Sequence, residues 1–559
     1  MRPFPYLFFV VLITSCSAFK PPKNPKKPGK VKEFTQRDSL LGGLNSNRSC
    51  FDVRYYDLDL RLNPGNATVS GVVNMDIEIL EETSIIQLDL DSRLDILTVS
   101  VNGESGRDFR RMHESFEVEL GRSYPKGERI QVGVWYGGKP QTAKKPPWKG
   151  GFVFKRKKGS PFCGVACEDD GAHIWWPLKD HISDKPDSIK TSFKVPTGLQ
   201  CISNGRLVSE EDMGDGWTKF TWATSYPINP YNVTFYIGDY EKFSLPYEGK
   251  YDPFNMDFYV LPHNLEKAKE HFKQARNIIY VYEDLFGPYP WPKDGYKLVE
   301  SPYEGMEHQS AIAYGAGYKN RKYSSYDYII LHETAHEWWG NAVTCCDMAD
   351  LWIHEGFATY AEMLYEERKE ADWFFQGSYY INRMMSENKR PVVGPMDVAY
   401  TNFKDSDIYT KGACILHNLR EILSDDKVFK TIIKRFSMEN RMKCVTTHDF
   451  ISLVNEETGK DYQWYFDQYV YRREAPELFY HLLINSKGGL TLYYKWNEAV
   501  TNESFDQMPV ELEVDEEIQT IYPTTKLKSM EVSDQSYSTC FLANDGYWIL
   551  TEKKMTELR

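Results

Sequence analysis

Cysteine is sparse in this sequence, ten in 559 residues at irregular spacings, and an odd nine remain after Cys16. That excludes a disulfide-built scaffold for a chain of this size, although one or two bridges fit an oxidising compartment. Cys163 and Cys167 have no second Cys/His pair at zinc spacing, so nothing completes a zinc site there. Basic charge is also in deficit: 67 Lys and Arg stand against 80 Asp and Glu, net −13. Residues 1–32 hold seven of the basic residues and no acid, which leaves the remainder with 60 against 80, net −20. A body this acidic repels phosphate backbones, which excludes nucleic acid as a partner. After residue 13 no apolar run reaches bilayer length, and no segment repeats at a period of 20 to 50 residues. A later membrane-spanning helix and a solenoid are excluded with them.

What is present begins with an export pattern. Arg2 precedes the apolar run from Tyr6 to Ile13, the length of a signal-peptide core and too short for a permanent span. The following Thr14-Ser15-Cys16 resembles a bacterial lipobox, in which the cysteine becomes a lipidated N-terminus. Residues 20–32 (KPPKNPKKPGKVK) read as an extended charged spacer. We therefore expect a signal peptide over 1–15 and a lipidated tether and linker over 16–45. The expected location is the cell envelope, periplasm-facing or at the outer membrane, held to the membrane through Cys16.

The length suggests three or four folded units, and 15% aromatic residues speak against disorder in most of the chain. From 46 to 245 apolar residues recur at a beat of two, as in Tyr56, Leu58 and Leu60, then Val69, Val72, Met75, Ile77 and Ile79. Gly, Pro and Asn punctuate the pattern, which predicts a largely antiparallel β domain. From 246 to 475 the period lengthens. Leu265, Ala268, Phe272, Ala275, Ile279 and Tyr282 mark an amphipathic helix, and further helices are expected near 325–340, 355–369, 406–423, 446–456 and 460–471. After Ala475 the beat of two returns, enough for a small β-sandwich over 476–559. The fold class is multidomain α+β.

Within the α-rich block, His332-Glu333-Thr334-Ala335-His336 is an H-E-x-x-H motif. On a helix its histidines lie about 40° apart on one face, so two imidazoles converge on one point, which suits zinc. Glu333 lies beside them, positioned to take a proton from water without being a ligand. A third ligand is offered by Glu355, 19 residues past His336 in WIHEGFA. Two histidines and one carboxylate leave a fourth zinc position open, as hydrolysis requires.

HETAHEWWGN followed by WIHEGFA resembles the aminopeptidase N and leukotriene-hydrolase family of zinc aminopeptidases, in the gluzincin group. Three further segments are similar to that family's motifs. Gly305-Met306-Glu307-His308 resembles its G-x-M-E-N, whose Glu binds the substrate's free amine, a role that falls to Glu307 here; His308 departs from the usual Asn. Glu168, with Asp169 and Asp170 as alternatives, matches an upstream segment that supplies a second amine-binding carboxylate. Tyr409, in Tyr409-Thr410-Lys411-Gly412, matches the Tyr that donates a hydrogen bond to the oxyanion, while Lys411 reads as a solvated charge.

The resemblance implies a thermolysin-like catalytic domain, one Zn²⁺ per chain on His332, His336 and Glu355, and Glu333 and Tyr409 as catalytic groups. Gly305, Met306, Glu307 and Glu168 would bind the substrate, a peptide with a free N-terminus losing one residue at a time. Two alternatives stay open: a catalytically silent, surface-anchored peptide-binding protein, and a small-molecule (epoxide) hydrolase on the same scaffold. Trp338, Trp339 and Trp352 are expected to pack. Asp350 is either a carboxylate orienting a ligand histidine or an ordinary surface residue.

Overall fold

A computed structural model describes residues 33–552 apart from 321, 323, 370–371, 402, 404–405, 498–499, 501–502, 535–539 and 543–549. The apolar run, Cys16 and the spacer at 20–32 lie outside the described residues. Part of the expected linker has structure: helix α1 (Gln36–Gly42) starts at Thr35, whose hydroxyl and Asp38 form a capping box. Leu41 of α1 is buried, and the Asp38 carbonyl accepts the Ala399 N–H at 2.8 Å. The basic, proline-rich composition therefore ends before this segment, which has apolar residues to bury.

The N-terminal unit is built on an eight-stranded sheet whose centre pairs Phe51–Asn63 with Thr68–Ile79 in antiparallel register and with Ser188–Pro196 in parallel. Tyr56, Leu58, Leu60 and Leu62 point into the core while Asp57, Asp59 and Arg61 do not. In the next strand Val73, not Val72, is the buried partner of Val69, Met75, Ile77 and Ile79, because only odd positions share that face. A second sheet orders Gln200–Ser203, Phe235–Gly238, Ser160–Ala166 and Gly151–Lys157. Trp175, Phe152, Phe193 and Phe235 pack edge to face between the layers.

The α-rich block opens on a sheet that the sequence pattern did not disclose. Glu241–Tyr247, Phe254–Val260, Tyr296–Glu300, Ile312–Tyr314 and Gly305–Met306 lie in that spatial order. Pairing is parallel in the middle and antiparallel at both edges. Three of its strands have five residues or fewer, too short for a period to emerge, and Glu241–Tyr247 and Phe254–Val260 carry their beat of two only over seven residues each.

The helix expected near 265–282 is two: α2 (Leu265–His271) and α3 (Gln274–Phe286), interrupted where Phe272 joins Phe258, Tyr314 and Tyr318 in an aromatic cluster. The helices α4 (Tyr328–Ala335), α5 (Trp352–Lys369), α6 (Asp372–Met385), α7 (Asp407–Leu423) and α8 (Asp426–Glu439) follow. Two C-terminal sheets, one of four and one of three strands, complete the described chain. No helix among the described residues is long and apolar enough to cross a membrane.

Candidate metal centre and amine pocket

α4 is buried on nearly every side, from Ile329 through Ala335, which makes it a central helix rather than a surface one. Its start is fixed by Asp327, whose carboxylate accepts the Ile329 N–H at 2.9 Å as an N-cap and also the hydroxyl of Tyr314 at 2.7 Å. The helix ends at His336, so His332 and His336 occupy its last turn and the residue beyond it.

Glu355 comes from the first turn of α5. The three ligand atoms form a nearly equilateral triangle: His332 Nε2 to His336 Nε2 is 3.2 Å, and Glu355 Oε2 lies 3.5 and 3.4 Å from them. An ion bonded tetrahedrally at about 2.0–2.1 Å separates neighbouring ligands by about 3.3 Å, so the triangle fits zinc. Glu355 Oε2 is buried and accepts no hydrogen bond, which leaves it free to bind a cation. Burial raises the Glu355 pKa, but the two imidazoles outweigh it and hold the carboxyl below its ordinary range. Among the described residues this is the only cluster of its kind. Cys163 and Cys167 take no part in one, and they are free thiols, as are Cys50, Cys201, Cys345, Cys346, Cys414 and Cys444.

Each imidazole is oriented through its other nitrogen. His332 Nδ1 lies 2.7 Å from Glu362 Oε1, and His336 Nδ1 lies 2.8 Å from the carbonyl of Trp339. Such partners fix the tautomer that leaves Nε2 for the metal. Sequence reasoning missed Glu362 and offered Asp350, whose carboxylate instead accepts the Thr447 hydroxyl at 2.5 Å. The available signal was spacing, because Glu362 is two helical turns past Glu355 on the same face of α5.

Glu333 lies against the edge strand Gly305–Met306. A Cβ on Gly305 would sit 2.3 Å from Glu333 Oε1, so the missing side chain is what admits the carboxyl. Burial and the neighbouring Glu307 push the Glu333 pKa up to about 8, while His332 and His336 pull it down. Tyr409, in the first turn of α7, stacks 6.1 Å from the His332 ring. Burial and the carboxylates Glu355, Glu168 and Glu307 hold its hydroxyl protonated. α5 and α7 approach until Gly356 and Gly412 nearly touch, since a Cβ on Gly412 would meet the Gly356 Cα at 2.8 Å. The same turn of α7 carries Lys411, which is not solvated: it is buried and donates to the carbonyls of Arg472 and Arg473 at 2.8 and 3.0 Å.

Glu307 and Glu168 converge from different units. Glu307 follows the edge strand and accepts the Tyr231 hydroxyl at 3.1 Å. Glu168 lies on a turn after Ser160–Ala166, and its Oε1 is buried with no hydrogen-bond partner. Burial and then repulsion from Glu307 push the Glu168 pKa well above the ordinary range. Asp170 is occupied elsewhere, accepting the Gly150 N–H at 2.6 Å. His308 turns away from this pocket, with Nδ1 2.7 Å from the Tyr236 hydroxyl inside the core, and burial pulls its pKa down to about 3. Trp338, Trp339 and Trp352 are buried packing groups.

A β-rich unit followed by a helical unit with a two-histidine, one-carboxylate centre defines the architecture of a zinc metallopeptidase. The chain belongs to peptidase family M1. Residues 53–231 match the peptidase M1 N-terminal domain and 270–469 the peptidase family M1 domain. Human endoplasmic reticulum aminopeptidase 1 is 25% identical over 431 residues, 71% of this chain and 44% of that protein. Leucine aminopeptidase 2 of Lodderomyces elongisporus is 26% identical over 455 residues, 73% of this chain and 67% of that one. The chain thus spans less than half of the human relative's length. The crystal structure of an M1 zinc metallopeptidase from Deinococcus radiodurans shares the fold, with a TM-score of 0.66 at 24% identity over 78% of this chain and 97% of that one.

Proposed function

We propose that this protein is a zinc aminopeptidase that removes single residues from the free N-terminus of peptides. The observation that carries the reading is the pair Glu168 and Glu307, one oxygen of it buried without a partner, next to the metal-ligand triangle. Two desolvated carboxylates with no cation between them favour a protonated amine strongly, and a substrate amine satisfies both. An internal peptide segment brings no charge to that position, so register is set electrostatically and only the first peptide bond is presented.

A zinc ion on His332, His336 and Glu355 supplies Lewis-acid polarisation of the scissile carbonyl and lowers the pKa of water. Glu333 accepts a proton from the attacking water and returns it to the leaving amine. Tyr409, kept protonated by its surroundings, donates a hydrogen bond to the oxygen that becomes negative. Glu362 and the Trp339 carbonyl hold the two imidazoles in place. A Deinococcus radiodurans M1 zinc metallopeptidase variant of similar fold has been crystallised with Tyr-Ser-Ala as its bound substrate, which supports short peptides as the substrate class.

Metal analysis combined with a panel of fluorogenic aminoacyl amides, with and without N-acetylation, tests the proposal. One zinc per chain and cleavage abolished by acetylation are expected. Cleavage that survives acetylation would overturn the aminopeptidase reading, and bound zinc without turnover on any peptide would favour a silent binding protein.

The proposal extends to an exported, membrane-tethered form lipidated at Cys16, supported by the Tyr6–Ile13 run, Thr14-Ser15-Cys16 and the basic spacer. Metabolic labelling with a fatty-acid analogue checks it: label on the wild type and none on Cys16→Ser is expected.

A further inference from the structure

A cavity of about 940 Å³ is lined by Tyr409 and by Glu362, the partner of His332, together with Lys145, Lys149 and Lys319. In a protein with an acidic body, these three lysines are exposed, and Lys145 Nζ lies 5.2 Å from the centre of the Trp148 ring, which lines the same cavity. Of the four acids that line the same cavity, Glu362 is turned to His332, and Asp327 to His271 and Tyr314. Asp169, itself engaged in an interaction, and Glu304 line it with the three lysines.

Lys145 and Lys149 face each other across an antiparallel bridge, which puts both side chains on one face of a tight hairpin. Like charges directly opposite each other are destabilising, so the arrangement gains nothing locally. The hairpin is also fastened to the amine pocket, because the Gly150 N–H donates to Asp170 in the turn that carries Glu168. Lys319 comes from the catalytic unit, after Ile312–Tyr314, and closes the ring from a second wall. The three lysines therefore share a cavity with Tyr409, and the hairpin that carries two of them is tied by a hydrogen bond to the turn of Glu168, whose Oε1 is buried without a partner.

We propose that Lys145, Lys149 and Lys319 form a subsite for the carboxylate of a short peptide, so that the preferred substrate is a zwitterion whose amine meets Glu168 and Glu307 while its C-terminus meets the lysine ring. This deepens the aminopeptidase reading and rests on it. An acidic side chain downstream of the scissile bond presents the same group, whereas C-terminal amidation removes it. The attraction acts at an exposed rim, so it raises apparent affinity for the peptide and is screened by salt.

Tripeptides to hexapeptides are compared as free acids and as C-terminal amides, on the wild type and on the triple variant Lys145→Ala/Lys149→Ala/Lys319→Ala. Each rate is normalised to cleavage of an aminoacyl coumarin amide, which has no carboxylate. At low ionic strength the wild type is expected to favour the acid by about tenfold in kcat/KM at the best-matched length, through KM, and the triple variant to bring the ratio close to one. Calorimetric binding of the same acid and amide to zinc-loaded Glu333→Gln protein reads the preference without turnover. Failure of the aminopeptidase reading, seen as no coumarin release by the wild type, is thereby distinguished from failure of the subsite. A ratio of one in the wild type, or a ratio the triple variant leaves unchanged, overturns the proposal. So does a triple variant that loses binding to vesicles of anionic lipid while keeping the acid preference, which would make the ring a membrane contact.

Discussion

At the scale of single residues, Glu333 and Glu362 do different work although both are buried carboxylates within one residue or one hydrogen bond of His332. Glu333 is not a ligand, so Glu333→Gln should keep one zinc per chain and lower kcat on aminoacyl amides by about 10²–10⁴-fold, the usual worth of a general base. Stopped assays with metal analysis on the same sample check this, and unchanged turnover would place the base elsewhere. Glu362→Gln leaves the ligand set intact but weakens the partner of His332 Nδ1. Zinc affinity should fall by about 10–100-fold, measured by competition with a chelator. A variant with wild-type affinity would mean that packing alone orients the imidazole.

Elements set the distances between these residues. Glu355 and Tyr409 sit on α5 and α7, and the two helices are close because Gly356 and Gly412 face each other with no side chain between them. Gly412→Ala drives a methyl into the Gly356 backbone, an overpacking that should cost about 1–3 kcal/mol and displace Tyr409 from the metal-ligand triangle. A lowered Tm together with a lowered kcat at unchanged zinc content is expected; a stable, fully active variant would refute the crossing argument.

The turn that carries Glu168 has its own brace, His173 Nδ1 at 2.5 Å from Asp180 Oδ2. Burial lowers the His173 pKa, but Asp180 outweighs it and the net shift is upward; burial raises the Asp180 pKa, but His173 outweighs it and the net shift is downward. The histidine's contribution is therefore full below its ordinary value of 6.5 and lost as pH rises through the raised one. The carboxylate's contribution is present above 3.8 and lost as pH falls through the lowered one. Denaturation midpoints of the wild type and of His173→Phe should thus converge as pH climbs past neutrality.

For the whole molecule, the metal ligands are borne by helices that are capped and packed through protein contacts alone, such as Asp327 on Ile329 N–H and α5 on α7. Stripping zinc with a chelator should abolish turnover and lower Tm while circular dichroism keeps its helical signal. Restoring zinc to about a thousand times its Kd should return about 4 kcal/mol of stability. Helical signal lost along with the metal would mean that the centre holds the fold together.

Chemistry that depends on local spacing was legible in the sequence. The i, i+4 histidines, the glutamate beside them, the carboxylate 19 residues on and the beat of two in Phe51–Asn63 all follow from helical or extended periodicity. So did the acidic balance, which is a sum over residues and needs no fold. What only the tertiary structure decided was every pairing of residues far apart in the chain. Examples are Glu362 rather than Asp350 on His332's side, Lys411 buried under carbonyls more than sixty positions away, and His308 turned into the core. The meeting of Glu168 with Glu307 and the lysine ring across the cavity belong with them. Periodicity records which face of an element is buried, but the partner on the other side of that face is set by how sheets and helices pack, which no local pattern encodes.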